Sequence, residues 1–278
     1  MPYWPPDVDA SKKNLVVPGA RTFFPPRLSY RDDGMLVIPR QSFCMEYFDY
    51  LPGQHVVFGG PSKHGKTRLA FDLLSVVATP EAPAYIAVSK PTDETTETLG
   101  KTLGFRFVED WPASRRIREL WEGKPPGYVI WPHFGNIDED MDNAALITAR
   151  LIADRYTASA RDKKHLAMGI LVMDDTMVKA KVMNLDNQMV TILAMAGGMK
   201  LGLWVFVQKP TDSGRTTLWA YENGDHYFFT RGGDERMLKR YSEIGGDKGG
   251  LVKQVVPTLE RYQFLYLHDD DICIVDAS

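Results

Sequence analysis

The chain has 278 residues, a formal net charge of −3, 44% hydrophobic and 25% charged residues, the balance of an ordinary globular protein with room for one large α/β domain. No apolar run reaches the roughly 18 residues that cross a bilayer, and Met1-Pro2-Tyr3-Trp4-Pro5-Pro6 has neither the basic nor the apolar region of a leader, so no membrane insertion is expected. Two distant cysteines, Cys44 and Cys273, exclude a disulfide framework and read as free thiols of a reducing cytoplasm; the slightly acidic balance excludes a wholly basic surface but not a local basic strip.

In chain order, residues 1–34 form a Pro-rich arm with Pro5-Pro6, Pro18 and Pro25-Pro26 among large aromatics, a composition that pairs its own backbone poorly. A single domain is expected over 35–278. Met35–Ile38 reads as a strand, and Leu51-Pro52-Gly53 as a turn into a second strand, His55–Phe58. Strands then alternate with longer helical stretches, which predicts a mostly parallel central sheet flanked by helices. Ala84–Val88 and Tyr128–Trp131 are strands, Asn143–Ala158 is a helix, and Arg161–Lys164 a basic link. Gly169–Met173 is a strand, followed by a helix within 185–198. Leu201–Val207 and His226–Phe229 are further strands. Phe264–Leu267 and Ile272–Val275 pair as a hairpin across Asp269-Asp270-Asp271.

Gly60-Pro61-Ser62-Lys63-His64-Gly65-Lys66-Thr67 fits G-x-x-x-x-G-K-[ST] without mismatch, between a strand and the helical run that begins at Arg68. Successive backbone N–H groups and a helix N-terminus then converge on a polyphosphate. Lys66 is the catalytic cation of this loop, reaching the β- and γ-phosphates, and the Thr67 hydroxyl is a ligand for Mg²⁺. The nucleotide-binding set is therefore Gly60 through Arg68, with a nucleoside triphosphate and Mg²⁺ as cofactors. About a hundred residues later the strand Gly169–Met173 ends in Asp174-Asp175. Asp174 is the second expected Mg²⁺ ligand, and Asp175 the group that orients or deprotonates the attacking water; the alternative is a pair that only caps the next segment. Gln208, at the tip of the strand Leu201–Val207, is placed to touch the γ-phosphate or that water.

The order of P-loop, strand-Asp-Asp, helix and Gly202-Leu203-Trp204-Val205-Phe206-Val207-Gln208-Lys209-Pro210 resembles the FtsK–HerA superfamily of DNA-pumping ATPases, whose corresponding strand ends in Gln-Arg-Pro or a close variant. Lys90-Pro91-Thr92-Asp93 and the run Asp225–Gly246 are similar to further family segments, and the likeness spans about 50–250. Met199-Lys200 stands where the family often has an Arg, and Lys63-His64 replaces an extra loop glycine. The resemblance implies a RecA-like P-loop NTPase fold, ATP as the nucleotide, and a ring, pentameric or hexameric, in which an Arg of one subunit reaches the neighbour's γ-phosphate. Arg236 and Arg231 are the candidates, then Arg240. It also implies pore loops on double-stranded DNA, for which Lys179 and Lys181 are candidates; a solvated loop is their alternative reading. Arg115, Arg116 and Arg118 read as a solvated helix face.

A motor core with little else resembles the viral genome-packaging ATPases of this superfamily. The reading is then an ATP-driven double-stranded DNA translocase acting in the host cytoplasm, with a capsid or portal protein as a further partner. The competing reading is a RecA- or KaiC-like ATPase that remodels or loads a protein; Leu51-Pro52-Gly53 before the P-loop strand is compatible with it.

Overall fold

The apolar runs form strands because both faces of the sheet they build are covered, so nearly every side chain along them is buried. In a computed structural model the described residues are 28–114, 123–132, 137–161, 168–195, 197–208 and 214–277. Arg115, Arg116, Arg118, the link 162–164, Lys209-Pro210 and the arm through residue 27 lie outside them.

The strands are β1 (Ser29–Tyr30), β2 (Leu36–Pro39), β3 (Val56–Gly59), β4 (Ala84–Ala87), β5 (Arg106–Val108), β6 (Gly127–Ile130), β7 (Gly169–Met173), β8 (Leu201–Val207), β9 (His226–Thr230), β10 (Phe264–His268) and β11 (Asp271–Asp276). The helices are α1 (Arg40–Ser42), α2 (Lys66–Val77), α3 (Glu94–Thr102), α4 (Ile137–Arg161), α5 (Asp186–Met195), α6 (Arg215–Asn223), α7 (Glu235–Ile244) and α8 (Gly249–Val255). One sheet takes the order β1-β2-β11-β10-β9-β3-β8-β7-β4-β6-β5. From β9 to β5 every neighbouring pair is parallel. The hairpin β10–β11 is antiparallel, as expected from its sequence, and Asp269 turns it at φ 45. The expected irregular arm to residue 34 ends earlier, because Ser29 and Tyr30 already pair with Val37 and Leu36.

Alternation along β3 divides the core. Val57 joins the cluster beneath α4–α8, while Val56 and Phe58 join the one beneath α2 and the π-helical turn Phe43–Tyr47 that extends α1. Phe58 lies in register with Phe206 on β8 and Phe228 on β9. Its fully buried ring stacks on theirs at 4.9 and 5.3 Å. This aromatic row fixes the three central strands side by side, directly below the phosphate loop. Phe58→Ala is therefore expected to cost about 3–5 kcal/mol of folding stability, read as a lower denaturant midpoint at unchanged slope.

Candidate functional site

The site grows from the C-terminal ends of the parallel strands. After β3 the chain turns through Gly60 (φ 129) and Gly65 (φ 85), left-handed conformations that favour glycine. A Cβ on Gly60 would fall 1.9 Å from Thr230 Oγ1, so this close approach to β9 also requires glycine. α2 then starts at Lys66 and aims its free N–H groups into the loop. Lys66 is buried, and its ammonium donates to the carbonyls of Gly60 (2.6 Å) and Pro61 (2.7 Å). Burial pushes it down to about 8 and Lys90 adds repulsion, while Asp175 and Asp174 pull the other way. A polyphosphate would supply the charge this ammonium lacks.

Asp174 and Asp175 follow β7 and face the same cavity of about 430 Å³, together with Ser62, Lys66, Thr67 and Gln208. Asp174 is buried; its Oδ2 has no hydrogen-bond partner among the described residues and lies 3.5 Å from the Lys90 ammonium. A buried carboxylate oxygen that accepts no hydrogen bond among the described residues suits a hard divalent ion. Thr67 and Asp174 are the residues that would hold Mg²⁺, which when bound offsets phosphate charge. Among the described residues no group of three or more His, Cys, Asp and Glu forms a metal cluster, so water and phosphate oxygens would complete the shell. Asp175 adopts φ 48, a left-handed conformation uncommon outside glycine. Gln208 Oε1 accepts from Ser62 Oγ at 3.1 Å, which sets the amide over the P-loop. The cavity thus unites the sequence-derived Ser62, Lys63, Gly65, Lys66, Thr67, Arg68, Asp174, Asp175 and Gln208.

Other expectations fare differently. Lys179 is fully buried, so it presents no charge to a pore in this conformation. Its ammonium donates to Ser89 Oγ (2.9 Å) and to the Asp174 carbonyl, because the π-helical turn Val178–Val182 folds it beneath the acid pair. Burial pushes it down to about 8. Lys181 on the same turn is exposed. Arg231 is exposed just past β9 and, with Lys66 and Arg261, adds to the burial that holds His64 below its ordinary value. It therefore stands near the P-loop of its own chain. Arg236 is exposed on the first turn of α7 without an ion-pair partner among the described residues. Arg240 is engaged by Glu243 at 3.1 Å and lies over the Tyr221 ring.

Sequence reasoning missed Arg261 and Tyr262, which line the cavity from the loop before β10. No spacing rule reaches them, since β10 is separated from β3 by β9, and the loop before it reaches back to the P-loop at Gly65.

A parallel sheet with the phosphate loop on β3, the acid pair on β7 and a glutamine on β8 between them defines a RecA-like P-loop nucleotide-binding fold. The chain has the fold of FtsK–HerA-type P-loop ATPases. It resembles the genome packaging NTPase B204 from Sulfolobus turreted icosahedral virus 2 in complex with sulfate, at 17% identity and TM-score 0.53 over 81% of this chain and 97% of that one. The same NTPase in complex with ATPγS matches at 16% identity and TM-score 0.53, over 82% and 98%. VirB4 of Thermoanaerobacter pseudethanolicus matches at 10% identity and TM-score 0.57, over 90% and 96%. No protein-family model and no curated protein matches the sequence.

Because Lys179 is an internal cation and Lys181 an external one, their alanine variants should separate in stability. Lys179→Ala removes a donor from two buried acceptors and should lower the melting temperature by several degrees. Lys181→Ala should leave it within about 2 °C, both read by thermal unfolding.

Proposed function

We propose that the protein is an ATPase that drives double-stranded DNA as a genome-packaging motor. The observation that carries the reading is Gln208 on the strand between the two nucleotide elements, hydrogen-bonded at 3.1 Å to the P-loop residue Ser62. A group there reports whether a γ-phosphate is present and passes the signal down β8. The likeness to the B204 packaging NTPase over 97% of that chain adds support at the level of fold.

In this reading the backbone of Gly60–Arg68 and the Lys66 ammonium cradle the phosphates, and Asp175 orients the attacking water and accepts its proton. ATP is the nucleotide, with Mg²⁺ at Thr67 and Asp174. Subunits form a ring, a pentamer or hexamer, and Arg236 reaches across to the neighbour's site, its exposure and its lack of an ion-pair partner among the described residues leaving it available. Arg231, close to its own P-loop, is the weaker candidate for that role. Lys181 is the remaining candidate of its turn for DNA phosphates. The motor would act in the host cytoplasm, against a capsid or portal protein. Among the described residues no helix is long and apolar enough to cross a membrane.

A second reading is a motor on polypeptide. It is favoured by the likeness to the cytoplasmic domain of the Thermomonospora curvata Type VII Secretion ATPase EccC, at TM-score 0.51 and 15% identity over 90% of this chain and 28% of that one.

Steady-state ATP hydrolysis with and without long double-stranded DNA, at two salt concentrations, tests the proposal. Turnover should rise with DNA, the rise should shrink as salt increases, and Lys66→Ala should abolish it. Turnover indifferent to DNA at both salts would turn the assignment to the polypeptide motor.

A further inference from the structure

The phosphate cavity does not end at the P-loop. Gly65, Arg68 and Tyr262 line it and also line a second cavity of about 710 Å³, between the π-helical turn Phe43–Tyr47 and the outer face of α2. Phosphates held by loop N–H groups ending at Thr67 and Arg68 leave the sugar and base on the Arg68 side. That exit opens into the second cavity, whose walls mix apolar and polar groups in the manner of a base site. Met45 and Val76 there are 57% and 43% exposed, apolar surface that the described residues leave uncovered, and Gln41 and Ser75 offer donors and acceptors beside them.

Tyr262 stands at the seam. It is not glycine, yet its φ is 73, a conformation that persists only where the surroundings impose it. Arg40 Nη2 donates to the Tyr262 carbonyl at 2.9 Å, and Gln263 closes the turn on Glu260 through its backbone N–H (3.2 Å) and its side-chain oxygen (2.9 Å). The ring lies against the P-loop, since a Cβ on Gly65 would meet its Cδ1 at 3.0 Å. The Arg261 guanidinium sits 4.8 Å from the ring centre, and the ring is still 39% exposed. A strained backbone is thus tied down so that a rigid aromatic surface faces the junction of two cavities.

We propose that Tyr262 is the platform on which the nucleobase of the bound triphosphate rests, with the base in the cavity lined by Met45 and Val76. The proposal rests on the nucleotide-binding reading above and adds to it the residue that distinguishes a nucleotide from bare polyphosphate. Arg40 acts through Tyr262 as a positioning residue, and its guanidinium is anchored a second time by Asp72 at 3.5 Å.

The test measures binding of Mg²⁺-ATP and of Mg²⁺-tripolyphosphate by calorimetry to the wild type, Tyr262→Ala and Tyr262→Phe. Tripolyphosphate carries the phosphate chain without the base, so its binding also reports that the P-loop of each variant is intact. Loss of a base–aromatic stack predicts about tenfold weaker ATP binding in Tyr262→Ala, unchanged tripolyphosphate binding, and an ATP affinity in Tyr262→Phe within about twofold of wild type. Equal weakening of both ligands, or an unchanged ATP affinity in Tyr262→Ala, would overturn the platform while leaving nucleotide binding in place. A wild type that binds neither ligand would overturn the nucleotide reading and the platform with it.

Discussion

Everything at the upper edge of the sheet follows from buried charge held in balance. Lys66 and Lys179 are both buried lysines, and Asp174 is a buried aspartate whose charge acts on both. Removing such groups from water costs several kcal/mol each unless partners compensate. The lysines meet that cost with carbonyl and hydroxyl acceptors: Gly60 and Pro61 for Lys66, Ser89 and Asp174 for Lys179. Neither forms a direct ion pair among the described residues, and burial lowers both below their ordinary value. The carboxylate oxygen of Asp174 remains without a hydrogen bond. The site is incompletely neutralised on both sides, the Lys66 ammonium at the loop and the Asp174 carboxylate at the cavity, and a metal-bound polyphosphate has the charges that would complete both.

Sheet order turns this balance into a route for signals. β8 lies between β3 and β7, so its tip touches both halves of the site, and Gln208 already contacts Ser62. Below the tip, Phe206 stacks on Phe58, and its backbone N–H donates to Thr176 Oγ1 at 2.9 Å. Thr176 directly follows the acid pair. A displacement of Gln208 by a phosphate therefore has a physical path, through a packed ring and one hydrogen bond, to the turn that carries Asp174 and Asp175. Phe206 and Thr176 on that path are buried, and close-packed interiors transmit displacement instead of absorbing it.

How much of this was legible depended on whether the signal was local. β7 and β8 run over the residues their apolar stretches mark, 169–173 and 201–207, because strands covered on both faces are written as continuous hydrophobic runs. The P-loop is likewise local chemistry. α6 went unread because it is polar and held from outside, Thr216 donating from both its backbone N–H and its hydroxyl to Asp186 Oδ1 thirty residues earlier. β5 is a short, half-buried edge strand with little pattern to read. Lys179 misled because a lysine beside another lysine reads as exposed surface. Only the π-helical turn puts one of the two inside and the other outside. Tyr262 carried no signal at all, since its place depends on a loop meeting the P-loop across the sheet.

The same π-helical turn accounts for the strain at Asp175. A residue with φ 48 is costly unless its neighbours fix it. Here the Asp175 carbonyl accepts from the backbone N–H groups of Val178 (3.0 Å) and Lys179 (3.3 Å), while the Lys179 side chain returns to the Asp174 carbonyl. Backbone and side chain of one residue therefore clasp the two peptide units that set the directions of the two carboxylates. Ser89 carries the clasp to the end of β4, donating to the Asp174 carbonyl at 3.2 Å and accepting from Lys179 at 2.9 Å. The left-handed turn lets consecutive aspartates follow one strand yet differ in burial, Asp174 enclosed and Asp175 half-buried. A buried carboxylate suits a metal ligand and a more open one suits a base that exchanges protons with water. Lys179, expected at a pore, is the residue that holds the two carboxylates in these different settings.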